Sequence, residues 1–210
     1  MNLRDIETQV NEFIRTHAQE NSTRVQSKDD KKFLILSGMS GSGKSTIGKL
    51  LEQEYDYRKF RNVYTRKMRD NETESDGIFV NDEKFREWHN NGELLIAKKT
   101  NAVWHGIRHD ELNRYSESTR VWADKSVGSL LELGQSFWGN AALIYILPPD
   151  FATLLDRLKQ RESGITYSLT EMEVTARLQE EADEMINSTQ LPYRYVINES
   201  VDSCIASVLA

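Results

Sequence analysis

The stretch Gly38-Met39-Ser40-Gly41-Ser42-Gly43-Lys44-Ser45-Thr46 constrains this 210-residue chain more than any other. It fits the pattern G-x-x-x-x-G-K-[ST], and its flanks give the pattern structural meaning. Phe33-Leu34-Ile35-Leu36 before it reads as a buried strand, and Ile47-Gly48-Lys49-Leu50-Leu51-Glu52 after it opens a helix. The glycines let the backbone curl so that successive N–H groups point inward. The helix N-terminus adds partial positive charge. Gly38, Ser40, Gly41, Ser42, Gly43, Lys44, Ser45 and Thr46 are therefore expected to hold a nucleoside triphosphate, taken as ATP. Lys44 would reach the β- and γ-phosphates, and Ser45 would place its hydroxyl on Mg²⁺.

Composition narrows the class. A net charge of −6 lacks the basic excess of a dedicated nucleic-acid binder. The single cysteine, Cys204, permits no internal disulfide and suits a reducing cytoplasm. No apolar run approaches bilayer length, and the N-terminus lacks a signal-peptide core. The expectation is a cytoplasmic protein with no nucleic-acid or membrane partner.

Residues 2–20 place Leu3, Ile6, Val10, Phe13 and Ile14 at helical spacing. This helix is expected to dock on the domain surface; its alternative use is a homodimer or partner contact. Residues 1–31 are read as helix plus linker, and 32–210 as the main domain. Ile78-Phe79-Val80 reads as a short strand, and Asn81 as the cap of a helix burying Phe85 and Trp88. Leu94-Leu95-Ile96-Ala97 and Ala102-Val103-Trp104 read as short strands or a hairpin. A helix is expected from near Arg108, with Leu112 and Tyr115 inward. Thr119-Arg120-Val121-Trp122-Ala123 and Ala141-Ala142-Leu143-Ile144-Tyr145-Ile146-Leu147 are core strands, the second stopped by Pro148-Pro149. Helices follow over 151–161 and 170–187, the second capped by Thr170 and separated from the first by a break at 164–168. A strand at 193–198 and a terminal helix close the chain. Alternating strands and helices predict an α/β fold with a parallel five-stranded sheet flanked by helices. Residues 61–111 read as an insertion with its own short strands.

Two kinds of phosphate-loop protein are excluded. The chain has no Asn-Lys pair for a GTPase base-reading motif, and neither Asp110-Glu111 nor Asp183-Glu184 ends an apolar strand as a motor ATPase requires. A small kinase with arginines on a helical lid fits. Arg157 and Arg161 lie on one helix face, and Arg177 lies on the next helix, across a glycine-bearing turn. Phosphoryl transfer needs positive charge around the transferred oxygens, and a hinged helix pair supplies it while excluding water.

These features together resemble the guanylate kinase family of P-loop kinases, over roughly residues 32–209. The matching stretches are the glycine loop, Thr65-Arg66-Lys67-Met68-Arg69, Gly77-Ile78-Phe79-Val80, Asn91-Gly92-Glu93-Leu94-Leu95, Ile146-Leu147-Pro148-Pro149, the Arg157/Arg161 pair, Arg177-Leu178 and Val196-Ile197-Asn198-Glu199. The resemblance implies an acceptor-binding insertion and a lid over about 161–177. It implies that Arg66 and Arg69 hold the acceptor's phosphate and that Asn198 lies near the donor adenine. Arg66 and Arg69, two cations three apart beside a short strand, also suit a phosphate clamp on their chemistry alone.

The departures fall in the acceptor site. Where the family has a tyrosine this chain has Gly77, and where it reads guanine with a carboxylate this chain has Ile96. His105 and Ile107 replace a second tyrosine and a small hydroxyl residue, and Ala123-Asp124-Lys125 replaces an Asp-x-Asp. A guanine edge without its acceptor loses about 1–3 kcal/mol per unmatched group. The expected activity is therefore ATP-dependent phosphorylation of a small phosphorylated acceptor other than GMP, such as a non-standard nucleoside monophosphate. Trp104 and His105 are candidates to stack on a base, or else to pack a small hairpin. A sugar-phosphate acceptor is the alternative, because Tyr64-Thr65-Arg66, Gly106-Ile107 and the Asp124/Ser126 spacing also resemble ribose 1,5-bisphosphate phosphokinase. A catalytically inactive interaction module is the third possibility. Asp124 is expected to orient a Mg²⁺-bound water or take a proton, with Lys44, Arg161 and Arg177 as its catalytic partners.

Overall fold

The computed structural model describes residues 2–20, 32–70, 72–100, 102–115, 119–162 and 171–210. In chain order they form α1 (Leu3–Glu20), β1 (Phe33–Ser37), α2 (Lys44–Glu54), β2 (Tyr57–Lys59), β3 (Val63–Tyr64) and β4 (Ile78–Phe79). Next come α3 (Asp82–Asn90), β5 (Leu94–Thr100), β6 (Val103–Arg108), α4 (His109–Leu112), β7 (Arg120–Asp124), α5 (Val127–Leu133) and α6 (Gln135–Trp138). The chain closes with β8 (Ala142–Leu147), α7 (Phe151–Glu162), α8 (Glu171–Asn187), β9 (Arg194–Ile197) and α9 (Val201–Leu209).

The apolar β1 lies at the centre of a five-stranded parallel sheet, in the order β2-β7-β1-β8-β9. Successive side chains of a strand point to opposite faces. Leu34 and Leu36 accordingly join Ile47, Leu51, Trp122 and Ile146 on one face, and Ile35 joins Tyr145, Leu147 and Leu154 on the other. Cover on both faces explains why β1 and β8 read as continuous apolar runs instead of alternating ones.

Helix α1 packs on α8, β9 and α7. Its stripe of Ile6, Val10 and Ile14 is buried with Leu178, Ala182 and Met185. The Asn11 carboxamide oxygen accepts from the Phe151 amide at 2.9 Å, satisfying a donor that the first turn of α7 leaves open. His17 stacks on Phe13 with ring centroids 3.9 Å apart and tilts onto Tyr195 of β9.

A second sheet, ordered β4-β3-β6-β5, stands beside the first. Here β3 runs parallel to β4, while the β3/β6 and β5/β6 pairs are antiparallel. Val63, Phe85 and Trp88 form its small core. Asn81 caps α3, its side chain accepting from the Lys84 amide at 2.8 Å.

Strand β2 and helix α6 were not anticipated. Leu112 is not inward: it is 40% exposed, and Glu111 takes the buried position at 2%. A single helical turn offers no stripe from which to read a face. The stretch 21–31, the break at 164–168 and the Thr170 cap lie outside the described residues. Among the described residues, no helix is long and apolar enough to cross a membrane.

Candidate active site

A cleft of about 920 Å³ lies between the C-terminal edge of the parallel sheet and the second sheet. One wall is the loop from β1 into α2. Gly43 ends it at φ +104°, in the left-handed region, where a Cβ would meet the Asn198 carboxamide nitrogen at 2.1 Å. That nitrogen donates to the Ser42 carbonyl at 2.8 Å, and Asn198 is buried at the cleft wall. The ammonium of Lys44 turns back onto its own loop, donating to the Gly38 carbonyl at 2.6 Å and the Met39 carbonyl at 3.0 Å.

The loop already holds an anion. The Ser40 amide donates to the Glu181 carboxylate of α8. Arg177 donates to the Ser40 hydroxyl at 3.1 Å, and its Nε lies 3.6 Å from the same carboxylate. Arg157 reaches the Gly41 carbonyl at 3.4 Å. A carboxylate seated on a loop amide beside a guanidinium shows that the cradle suits anionic oxygens. The Arg161 side chain lies outside the described residues. Ser45 and Thr46 are exposed at the cleft. Among the described residues, no group of three or more His, Cys, Asp or Glu side chains gathers as a metal site.

The facing wall is built from side chains. The Arg66 guanidinium donates to both oxygens of Glu72 at 2.6 Å and lies 4.8 Å from the Tyr64 ring centre and 5.2 Å from that of Phe79. The Arg69 amide donates to Glu72 at 2.9 Å. Glu72 thus holds both arginines, and the bonds from Arg66 keep its carboxyl below the usual range. Lys59 pairs with Asp76 at 2.9 Å. At Gly77 a Cβ would sit 2.8 Å from the Tyr64 ring, so Tyr64 fills the space that a side chain there would take.

Lys44, Asp124, Arg66, Arg69, Arg157 and Asn198 all line this one cleft. Trp104 and His105 do not line it. Trp104 packs on Phe85 with ring centroids 5.6 Å apart, and His105 meets Tyr64 edge-on at 5.4 Å. Burial, then the Arg66 charge, holds the His105 imidazole below its usual pKa.

Several lining residues were not singled out from sequence. Glu181 and Glu184 follow Arg177 by four and seven positions on α8, and that spacing was their available signal. Burial raises the Glu184 carboxyl despite a 2.8 Å bond from the Val127 amide. Lys125, just beyond β7, is 6% exposed, and its ammonium contacts the Asn62 carboxamide oxygen. Burial pushes it down to about 7. The two residues stand 63 positions apart, a pairing that no local pattern announces.

Similar proteins point to a family. A family model described as guanylate kinase matches residues 30–208. The guanylate kinase of Wolbachia pipientis wMel is 29% identical over 184 residues, covering 86% of this chain and 89% of that protein. The guanylate kinase of Thermotoga maritima is 26% identical over 179 residues, covering 84% and 83% respectively. The crystal structure of guanylate kinase from Anaplasma phagocytophilum superposes with a TM-score of 0.59 at 17% identity, covering 87% of this chain and 85% of that one. A loop shaped for phosphates, a cleft with cations on both walls and a family match over most of the chain converge on one assignment: this chain belongs to the guanylate kinase family of P-loop kinases and is a phosphotransferase.

Proposed function

We propose that this enzyme uses ATP to phosphorylate a small phosphorylated acceptor other than GMP. The observation that carries the reading is the pairing of walls: a loop that already binds a carboxylate through the Ser40 amide faces Arg66 and Arg69 across one cleft. The loop and Lys44 would bind the donor's phosphates. Arg157 and Arg177 would bring positive charge to the transferred group, and Arg66 and Arg69 would hold the acceptor's own phosphate. Asp124, at the end of β7, would face the reacting groups. Mg²⁺ at Ser45 would supply charge neutralisation.

The choice against GMP rests on the acceptor wall. Ile96 pairs with Ile107 in the β5/β6 hairpin and packs on the main core, which supports the reading that an aliphatic side chain takes the place of the family's guanine-reading carboxylate. A nucleoside monophosphate with an altered base remains the first reading. A sugar phosphate is the second, favoured by the location of Trp104 and His105 away from the cleft lining.

A panel of nucleoside monophosphates and sugar phosphates, scored by ADP release, tests this. Turnover of acceptors other than GMP, falling by orders of magnitude in Asp124→Asn, is the expected result. Turnover of GMP alone would overturn the acceptor reading. A thermal midpoint unmoved by ATP with Mg²⁺ would favour an inactive interaction module, because a ligand that binds only the folded state must raise it.

A further inference from the structure

Most of the cations on the acceptor wall come with their own counter-charge. Lys59 has Asp76, and Arg66 has both oxygens of Glu72. Lys125 differs. It is almost fully buried yet lines the cleft, and no carboxylate among the described residues comes within ion-pair distance of it. Asp124 and Glu111 act on it only at longer range. Its contacts are neutral: the Asn62 carboxamide oxygen and the rings of Phe60 and Phe137, whose centres lie 5.0 and 5.9 Å from the ammonium.

The arrangement is fixed from several sides. The Lys125 amide donates to the Leu36 carbonyl at 3.1 Å, and its carbonyl accepts from the Ser37 hydroxyl at 2.6 Å. Asn62 is fixed in turn, because its nitrogen donates to the Tyr64 hydroxyl at 3.2 Å. Both ends of the Asn62 amide are thus engaged within the protein, so it aims the lysine. An ammonium has more donors than one carboxamide oxygen can accept. A buried ammonium with neutral partners is costly, and the side chain either gives up its proton or takes a counter-charge from outside. In a cleft, a ligand is what can bring that charge and keep the lysine protonated.

We propose that the acceptor carries a second anionic group besides the phosphate held by Arg66 and Arg69, and that Lys125, aimed by Asn62, binds it. The inference rests on the kinase reading above and names the acceptor's class: a small molecule with two anionic groups. Its frame is either a sugar or a nucleoside, and the two arms of the test separate them.

The test measures binding by calorimetry, with turnover alongside. One arm compares ribose 5-phosphate with ribose 1,5-bisphosphate. The other compares adenosine 5′-monophosphate with adenosine 3′,5′-bisphosphate. In at least one arm the bisphosphate should bind wild type about tenfold or more tighter than its monophosphate, the scale of a charge-assisted bond. Lys125→Met should erase that gap, raising KM for the bisphosphate more than it lowers kcat, and Lys125→Arg should keep most of the gap. Asn62→Asp places a carboxylate against the ammonium and should also erase it. It decides the matter if Lys125→Met fails to fold, as judged by an ATP-induced thermal shift. Lys84→Met, which removes an exposed cation of α3 paired with Glu87 and away from the cleft lining, should leave the gap in place.

Equal binding within both pairs, or no binding of any of the four, overturns the proposal. So does a gap that survives Lys125→Met, or one that Lys84→Met erases equally. Turnover of an acceptor with a single anionic group and no such preference would sink this inference while leaving the kinase reading intact. A protein without ATP turnover would sink the kinase reading, and the binding comparison would still decide this one.

Discussion

On the donor side of the cleft, the groups poised for a ligand belong largely to the backbone: the Ser40 amide, the turn at Gly43 and the first turn of α2. On the acceptor side they are side chains held by other side chains: Arg66 on Glu72, Lys59 on Asp76, Lys125 on Asn62. A backbone cradle tolerates change in its surroundings, because its shape comes from a few glycines and a helix end. A side-chain wall is re-specified by a handful of substitutions. The contrast would account for the function proposed above, in which the donor half of the family's site is kept and the acceptor half altered.

The sharpest way to break this comparison is at Lys44. Lys44→Met should lower turnover on the order of a thousandfold, the scale of losing one cation at a transferring phosphoryl group, with little change in folding stability. ADP release and denaturant unfolding measure the two quantities. A loss confined to stability would mean that the loop lysine serves structure alone.

The complementary change is at Glu111. This buried carboxylate accepts from the Arg61 amide at 3.1 Å and from its guanidinium at 3.0 and 3.2 Å, with the Tyr115 hydroxyl at 2.8 Å. Glu111→Ala strands the charge of Arg61 and should cost about 3 kcal/mol in urea unfolding. An effect below about 1 kcal/mol would show that the pair is dispensable.

The two walls should also answer pH with opposite signs. Burial raises the Glu111 carboxyl, but the bonds from Arg61 and Tyr115 outweigh it, and its pKa lies below the usual value. Glu72 and Asp76 are depressed too, the first chiefly by Arg66, the second by Lys59 and Thr73 against the pull of burial. A depressed carboxylate gives stability above its unfolded pKa, and that stability is lost as pH falls through its folded pKa. Glu184 and Glu52 on the donor side are raised by burial, so their cost to the fold is relieved as pH falls through their folded values. Mild acid should therefore leave the second sheet supported while easing the donor side, and stronger acid, below about pH 4, should weaken the second sheet first. Amide exchange followed separately at Trp88 and Trp122 would reveal the order; loss of protection at Trp122 first would contradict it.

The smallest expected effect is at Glu181. Glu181→Gln removes the charge that competes for the Ser40 amide and should tighten ATP binding by about three- to tenfold in calorimetry. Weaker binding would show that Glu181 assists the nucleotide.

The donor wall was legible in the sequence because its geometry is local: Phe33-Leu34-Ile35-Leu36, the glycines and Lys44 are contiguous, and each residue type has one reason to be there. The sheet followed from the apolar runs of β1, β7 and β8. Strand β2 was missed because Tyr57-Arg58-Lys59 is an edge strand without an apolar signature, and α6 because a four-residue helix carries no period. The acceptor wall was legible only as departures. Gly77 could be read as an absence, but not that Tyr64 occupies its space. Nothing local links Asn62 to Lys125, or Ser40 to Glu181 across 141 positions.

Helix α1 has a practical consequence for anyone dividing this protein. The region shared with the family begins at residue 30, and a gene fragment designed from kinship alone would start there. Such a fragment would bare the back of α8, the helix that carries Arg177, Glu181 and Glu184, where Ile6 and Val10 now lie fully enclosed. It would also strip the first turn of α7 of Asn11, whose carboxamide oxygen accepts from the Phe151 amide. Ancestry and architecture draw the border of this protein in different places, and the cleft stands on the architectural one.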